Sequence, residues 1–261
     1  MSRVIFDNGT HRCIVFDDIL NEGEVEIEDV QSNQFLIVNK DHGLLFDPGG
    51  AKVFQPLHKE ISKFIYPRKV KKIVISHQDP DTGAGINYWM VFSNATAYVP
   101  QLWARFIPHF CRQSIEKNFF TSIPEEGMRL NLNDSEFILL PAHFLHSVGN
   151  IHMYDATSKI LFSGDMGTSL LPFTADFEPV EDFEEHVKFM EGFHKRYIVS
   201  NKVCKLWVNM VRDLDIEMII PQHGRKYFKG KEMVNRFIDW VYNLQCGIDL
   251  LNQNAYTIPP E

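Results

Sequence analysis

Four short polar segments hold the residues of this sequence best suited to metal chemistry. The first is Ser76-His-Gln-Asp-Pro-Asp81, in which His77, Asp79 and Asp81 occupy alternate positions directly after the short β-branched strand Val70-Lys-Lys-Ile-Val-Ile75. In an extended segment, residues two apart point to one side, so one imidazole and two carboxylates converge without a distant partner. Pro80 stiffens the backbone between them and biases Asp79 toward an extended conformation. A polar loop that merely caps a helix is the plain alternative for this segment taken alone. Three further segments weigh against it. His146 lies in Pro141-Ala-His-Phe-Leu-His-Ser-Val-Gly-Asn150, Asp165 in Phe162-Ser-Gly-Asp165, and His223 in Pro221-Gln-His-Gly224, each after an apolar run. Strand ends on one rim of a sheet combine rigid placement with access. The flanking Gly149, Gly164 and Gly224 allow the close approach or positive φ that crowded sites need.

Three imidazoles and three carboxylates form a set for two metal ions. One zinc ion needs three or four ligands, so six would leave charged groups buried and unpaired. Mixed histidine and carboxylate ligation suits iron or manganese better than zinc. His143, three residues before His146, is an alternative ligand. The other histidines (His11, His42, His58, His109, His152, His186 and His194) lack this strand-end context and read as ordinary surface or core residues. The four cysteines, Cys13, Cys111, Cys204 and Cys246, contain no Cys-x-x-Cys pair, which excludes a zinc knuckle or a dithiol motif of that kind. Gly83-Ala-Gly85 is not a phosphate loop.

The elements that must position these residues are legible as short apolar runs. Cys13–Phe16, Phe35–Val38 and Leu44–Phe46, separated by Asn21-Glu-Gly23 and Asp41-His-Gly43, predict an antiparallel meander that Asp47-Pro-Gly-Gly50 stops. Phe54, Leu57, Ile61, Phe64 and Ile65 recur at helical spacing. A helix is expected from Thr82, as N-cap, through Trp89 or Phe92. Strands follow at 136–140, 151–154, 160–162 and 218–220, and helices near 180–197, 201–213 and 230–245. Strands and helices do not alternate strictly, so two mixed sheets with helices on both outer faces, an αββα four-layer sandwich of the α/β (α+β) class, fit better than a doubly wound sheet. The 261 residues carry 26 Lys+Arg against 34 Asp+Glu, a charge of −8, with 44% hydrophobic residues. That balance gives no footprint for nucleic-acid binding. No apolar run approaches a membrane span and no signal peptide opens the chain, so a cytoplasmic location and one domain over 1–261, with about 249–261 as a tail, are expected.

On these four motifs, in this order, the sequence resembles the metallo-β-lactamase fold and, within it, the diiron domain of the flavodiiron proteins. The hydrolase branch carries His-x-His-x-Asp-His; the diiron branch has a carboxylate at the third position, and here His77-Gln-Asp79-Pro-Asp81 has one, shortened from Glu to Asp. The resemblance implies that His77, Asp79 and His146 bind one iron, Asp81 and His223 the other, and that Asp165 bridges. It implies two Fe ions (Fe2+/Fe3+) with a bridging oxo, hydroxo or peroxo group, and a homodimer. Tyr197, in Lys195-Arg-Tyr197, resembles a region that approaches the irons and can donate a hydrogen bond to bound oxygen; a core tyrosine on a helix face is the other reading. Two departures stand out: Thr82 replaces a histidine, and the 261 residues include no flavodoxin domain to hold FMN. The expectation is therefore an oxygen-binding or oxygen-sensing protein that forms a peroxo-diiron species with O2, or binds NO, and is read by a signalling partner. The alternatives are an O2/NO reductase fed by a separate flavodoxin or rubredoxin-type partner, and a binuclear metallohydrolase.

Overall fold

Continuous apolar strands need cover on both faces, and the chain supplies it in four layers. The computed structural model describes residues 2–17, 19–20, 31–111, 120–172 and 175–259. The first sheet runs in chain order, β1 (Ser2–Asp7), β2 (His11–Asp17), β3 (Asn33–Asn39), β4 (His42–Phe46), β5 (Val70–Val74), β6 (Thr96–Pro100) and β7 (Phe120–Ile123). The first four strands are antiparallel, as the meander predicts, and β4 to β7 are parallel. The Asn21-Glu-Gly23 turn expected between β2 and β3 lies outside the described residues. The second sheet comprises β8 (Met128–Leu132), β9 (Ser135–Pro141), β10 (Ile151–Asp155), β11 (Ile160–Phe162), β12 (Glu178–Pro179), β13 (Met218–Ile220) and β14 (Lys226–Lys229). Its order is β12-β14-β13-β11-β10-β9-β8, with β11 and β13 parallel.

The period-two alternation of each strand splits its apolar residues between two cores. Cys13, Val15, Phe35, Ile37, Leu44 and Phe46 face the second sheet and meet Phe137, Leu139, Met153 and Phe162. Phe162 ties the layers together, with its ring 4.9 Å from Phe35 and 5.9 Å from Phe46. The intervening Ile14, Phe16, Leu36 and Leu45 face outward onto α1 (Phe54–Ile61) and α3 (Ile86–Ser93). On the far side, Leu140, Tyr154, Leu161 and Ile219 pack under α4 (Phe183–Tyr197), α5 (Asn201–Val211) and α6 (Lys231–Asn243).

One helix differs from expectation. The segment from Thr82 is two pieces, a single turn α2 (Pro80–Gly83) and α3, and Thr82 lies inside the first. Asp79 precedes α2 with an extended backbone (φ −66°, ψ 144°), and Pro80 fills the first helical position, where its missing N–H costs nothing. The break falls at Gly85, whose N–H donates to Gly49 O at 2.8 Å; a Cβ there would sit 2.8 Å from that carbonyl oxygen. The close crossing needs glycine, and it is what interrupts the helix. His77, Asp79 and Asp81 therefore do not form one extended run: Asp81 reaches the same side from within a helical turn.

Candidate metal centre

The strand ends of both sheets meet on one rim, and the six residues singled out above converge there. His77 follows β5, and its Nε2 lies 3.5 Å from Asp79 Oδ2 and 3.7 Å from Asp165 Oδ1. His146 Nε2 is 3.3 Å from Asp79 Oδ2 and 3.1 Å from Asp165 Oδ2. His223 Nε2 is 3.4 Å from Asp81 Oδ2 and 3.8 Å from Asp165 Oδ1. Two cages result, His77–Asp79–His146 and Asp81–His223, and Asp165 stands between them with an oxygen toward each. Ligand atoms held about 2.1 Å from a first-row metal ion lie about 3.0 Å apart in octahedral and about 3.4 Å apart in tetrahedral geometry. The cages have that size.

Among the buried side-chain atoms without a hydrogen-bond partner are His77 Nε2 and Asp165 Oδ1, which face each other at the middle of the cluster. An unpaired buried acceptor and an unpaired imidazole nitrogen facing each other are costly unless a cation joins them. Burial alone would push the His77 imidazole down, but the charges of Asp165, Asp79 and Asp47 outweigh it and raise it to about 9. Burial likewise disfavours ionisation of Asp79, yet the neighbouring His77 imidazole, 3.5 Å away, holds it below its ordinary value, helped by His146 and His223. The His146 imidazole is lowered, chiefly by burial. A divalent cation replacing the His77 proton would take over the balancing of the carboxylates.

The surrounding residues fix these side chains. His77 Nδ1 lies 2.8 Å from Ser76 Oγ, and His223 Nδ1 donates to Gln31 O at 2.7 Å, which leaves the His223 Nε2 lone pair facing the centre. Gln78 links two loops: its Nε2 donates to Asp79 Oδ1 at 2.9 Å, and its Oε1 accepts from Ser147 Oγ at 2.5 Å. Asn33, wholly buried on β3, donates to both Pro221 O and Gly224 O at 3.0 Å and accepts from Gln31 Nε2 at 2.8 Å. It clasps the His223 loop from either side. Asp47, buried after β4, accepts from the Ser76 N–H at 2.8 Å, and burial pushes its carboxyl up to about 7. His146 has a left-handed backbone, φ +82°. Asn150 Nδ2 on Leu145 O at 2.7 Å and Phe144 N–H on Ser147 O at 2.8 Å hold the turn in that strained form.

Sequence reading anticipates none of these supports. Asn33 lies in the polar stretch Gln31-Ser-Asn-Gln34, which marks nothing, and only Asp47, directly after Leu44–Phe46, stands where a local sign exists. The alternative ligand His143 is half-buried and turned away; its Nε2 donates to Glu125 O at 2.7 Å, and it lines a separate cavity of about 260 Å3. Tyr197 stacks on Phe193 at 4.7 Å, 5.4 Å from the His146 ring, and is half exposed at the mouth of a cavity of about 570 Å3 over the centre. The tyrosine is therefore not in the core. Of the histidines set aside, His152 and His194 are structural. Each is fully buried and pushed down by burial, to about 3 and about 4. His152 accepts from Trp207 Nε1–H at 3.0 Å and His194 Nε2 from the Gly167 N–H at 2.9 Å.

His11 is less ordinary than its sequence context implies. With Cys13 and Asp155 it forms a second buried group whose ligand-type atoms lie within 4.8 Å of one another. Asp155 ends β10, whose first residue, Ile151, donates its N–H to Ser76 O on the metal rim. At about 3.3 Å per residue the two groups are about 13 Å apart along the strand. Here the atoms satisfy one another: His11 Nε2 meets Asp155 Oδ2 at 2.7 Å, His11 Nδ1 meets Ser135 Oγ at 3.0 Å, and Ser158 Oγ donates to the same carboxylate. A closed hydrogen-bond network explains the group without a cation.

A family profile, "ODP family beta lactamase", matches residues 30–224. Two solved structures of the chemotaxis sensor ODP are 38% identical and cover 98% of this chain and 99% of theirs: a peroxy diiron species (TM-score 0.84) and an apo state from T. denticola (TM-score 0.85). Rubredoxin oxygen:oxidoreductase from Desulfovibrio gigas, 15% identical, superposes over 92% of this chain and 61% of its own with a TM-score of 0.75, a likeness of fold alone. An uncharacterized protein of Methanocaldococcus jannaschii is 26% identical over 81% of this chain, which spans about half, 53%, of that relative.

Proposed function

The chain belongs to the ODP family of the metallo-β-lactamase fold, and from that premise we propose that it is a non-haem diiron protein that binds O2 between its two irons and acts as an oxygen sensor. The observation that carries this reading is the convergence of three histidine Nε2 atoms on Asp165, with His77 Nε2 and Asp165 Oδ1 buried and unpaired. His77, Asp79 and His146 would hold one iron and Asp81 and His223 the other, with Asp165 shared between the two. When bound, the irons would supply two one-electron reductants side by side, which is what reduction of O2 to the peroxide level requires; NO could bind at the same ions. Asp79 stands where a hydrolase of this fold has histidine, and its oxygen favours iron over zinc.

The protein's own part is placement and access. The hydrogen bonds from His77 Nδ1 to Ser76 Oγ and from His223 Nδ1 to Gln31 O keep both Nε2 lone pairs aimed at metal. Phe193, Leu170 and Tyr197 give the cavity an apolar wall suited to a small apolar ligand. Tyr197, at the mouth, is the proposed hydrogen-bond donor to bound oxygen, a role supported by its ring lying 5.4 Å from that of His146. The 261 residues form one diiron domain with 249–261 as a tail. A cytoplasmic setting is consistent with the described residues, among which no helix is long and apolar enough to cross a membrane. Homodimer formation and a signalling partner belong to the same reading.

The test is anaerobic loading with Fe(II) followed by O2 in a stopped-flow spectrometer. A sensor develops an O2-dependent absorption that persists after one equivalent is consumed. Rapid multiple turnover with a separate flavodoxin or rubredoxin-type donor would instead make it a reductase. Preferential retention of two zinc ions, with esterase activity and no reaction with O2, would overturn the diiron reading.

A further inference from the structure

Two cysteines far apart in sequence meet beside the segment that carries His146. Cys204 lies in α5 and Cys246 just beyond α6; both are free and buried, with their sulfurs 3.9 Å apart. The shared hydrogen bond treats them unequally. It keeps one thiol protonated and favours ionisation of the other, and Cys246, which directly precedes an exposed turn, is the sulfur that local opening uncovers. The turn after Cys246, Gly247–Leu250, bears half to largely exposed Ile248 and Leu250 and leads into a run, 251–259, that is exposed throughout. Such a segment opens locally at far lower cost than the core.

This turn is wired to the metal rim by backbone contacts. Gly247 has φ +54°, and a Cβ there would lie 2.2 Å from the carbonyl oxygens of both Ile198 and Val199. Ile248 N–H donates to Val199 O at 2.8 Å, Val199 N–H donates to Phe144 O at 3.3 Å, and Ile198 pairs with Leu145 in a β-bridge. His146 follows Leu145, and Tyr197 precedes Ile198. A displacement of residues 246–248 therefore bears on both the strained ligand turn and the aromatic wall of the cavity.

We propose that Cys204 and Cys246 are a reversible dithiol–disulfide switch, oxidised by hydrogen peroxide or another small hydroperoxide, that adjusts the centre through the Val199–Phe144 connection. The Cys246 thiolate attacks the peroxide O–O bond; one oxygen is transferred to sulfur as the sulfenic acid, and the other leaves, after protonation, as water. The Cys204 sulfur then attacks Cys246 sulfur, the S–S bond forms and the sulfenic oxygen leaves as a second water. Two thiols and one H2O2 give one disulfide and two waters, with two electrons passing from the sulfurs to the peroxide. The sulfurs must close from 3.9 Å to about 2.05 Å, which draws Cys246 and its turn toward α5. The effect on the centre rests on the diiron reading, whereas formation of the bond does not.

The two parts are tested separately on the full chain. Iron-free protein is exposed to graded H2O2, quenched by alkylation in denaturant and mapped by mass spectrometry without reduction. The expected product is an intramolecular Cys204–Cys246 bridge, two hydrogens lighter, formed before Cys13 reacts, absent in Cys204→Ala, and reversed by dithiothreitol. Oxidation of half-buried Cys111 while Cys204 and Cys246 remain thiols would overturn the switch. In iron-loaded protein, the bridged and reduced forms are compared for O2 half-saturation. A shift of about five-fold or more is expected from coupling of ordinary size. Identical curves from forms shown by mapping to differ in the bridge would overturn the coupling. Failure of the protein to take up iron would instead count against the diiron reading and leave the mapping result standing.

Discussion

Asn33 offers the sharpest test of how this fold positions its second metal. Its side chain is wholly buried and donates to two carbonyls, Pro221 O and Gly224 O, on either side of His223. Asn33→Ala leaves the backbone link from Asn33 N–H to Gln222 O in place, at 2.7 Å, but strips both carbonyls of a donor and Gln31 of its acceptor. A buried polar atom left without a partner costs about 1–3 kcal/mol, so the pair costs about 2–4 kcal/mol after relaxation. At about 2–4 °C per kcal/mol for a chain of this size, the melting temperature should fall by about 5–15 °C. The loosened loop should also weaken the metal held by Asp81 and His223 about 10- to 100-fold, the usual cost of removing an outer support, with less effect on the metal held by His77, Asp79 and His146. Urea unfolding of the metal-free protein and stepwise anaerobic Fe(II) titration read the two effects. Asn33→Asp separates donation from volume: it keeps the acceptor for Gln31 but sets a carboxylate against two carbonyl oxygens, so it should be at least as damaging. Wild-type stability and two unchanged iron affinities in Asn33→Asp would refute the reasoning.

Other outcomes follow from the same geometry. His77 is raised to about 9 in the folded, metal-free protein against an ordinary 6.5. Its stabilisation is thus complete below about pH 6.5 and is lost as pH rises through 9, up to about 3 kcal/mol in all. Urea midpoints of the metal-free protein should fall over that window and flatten in His77→Gln; midpoints that rise between pH 6.5 and 9 would contradict the assignment. His146→Ala should lower bound iron toward one per chain or none, whereas His143→Ala, which faces a different cavity, should leave both ions in place. Elemental analysis checks this, and iron lost only from His143→Ala would reverse the choice. Gly224→Ala should cost stability and the second ion together, because φ is +93° and the new Cβ would fall 2.9 Å from Ser169 O; calorimetry with metal analysis reads both.

The parts legible in the sequence were those written in contiguous residues. Cys13–Phe16 and Phe35–Val38 read as strands because helices cover the first sheet's outer face, so every position is apolar and none shows the alternation of a half-exposed sheet. The six rim residues are legible because the four segments that carry them each follow a strand-forming run. Supports formed by contacts distant in sequence were not visible. Asn33 reaches across 191 residues to Gly224, and His11 across 144 to Asp155; nothing near either residue marks the partner. The helix expected from Thr82 breaks at Gly85 because the backbone at Gly49 crosses there, a tertiary contact that no local propensity records. The short strands β12 and β14 escaped for a related reason. Paired with each other at the edge of the second sheet, they have little apolar sequence to announce them.

The account stands or falls on whether Asp165 joins two irons. Mössbauer spectroscopy of protein loaded anaerobically with iron-57, before and after one equivalent of O2, addresses this directly. The account predicts two high-spin ferrous ions per chain that convert together to a diamagnetic, antiferromagnetically coupled diferric pair, and loss of that coupling in Asp165→Ala. One iron per chain, or two that oxidise independently to uncoupled ferric ions in the wild type, would contradict it.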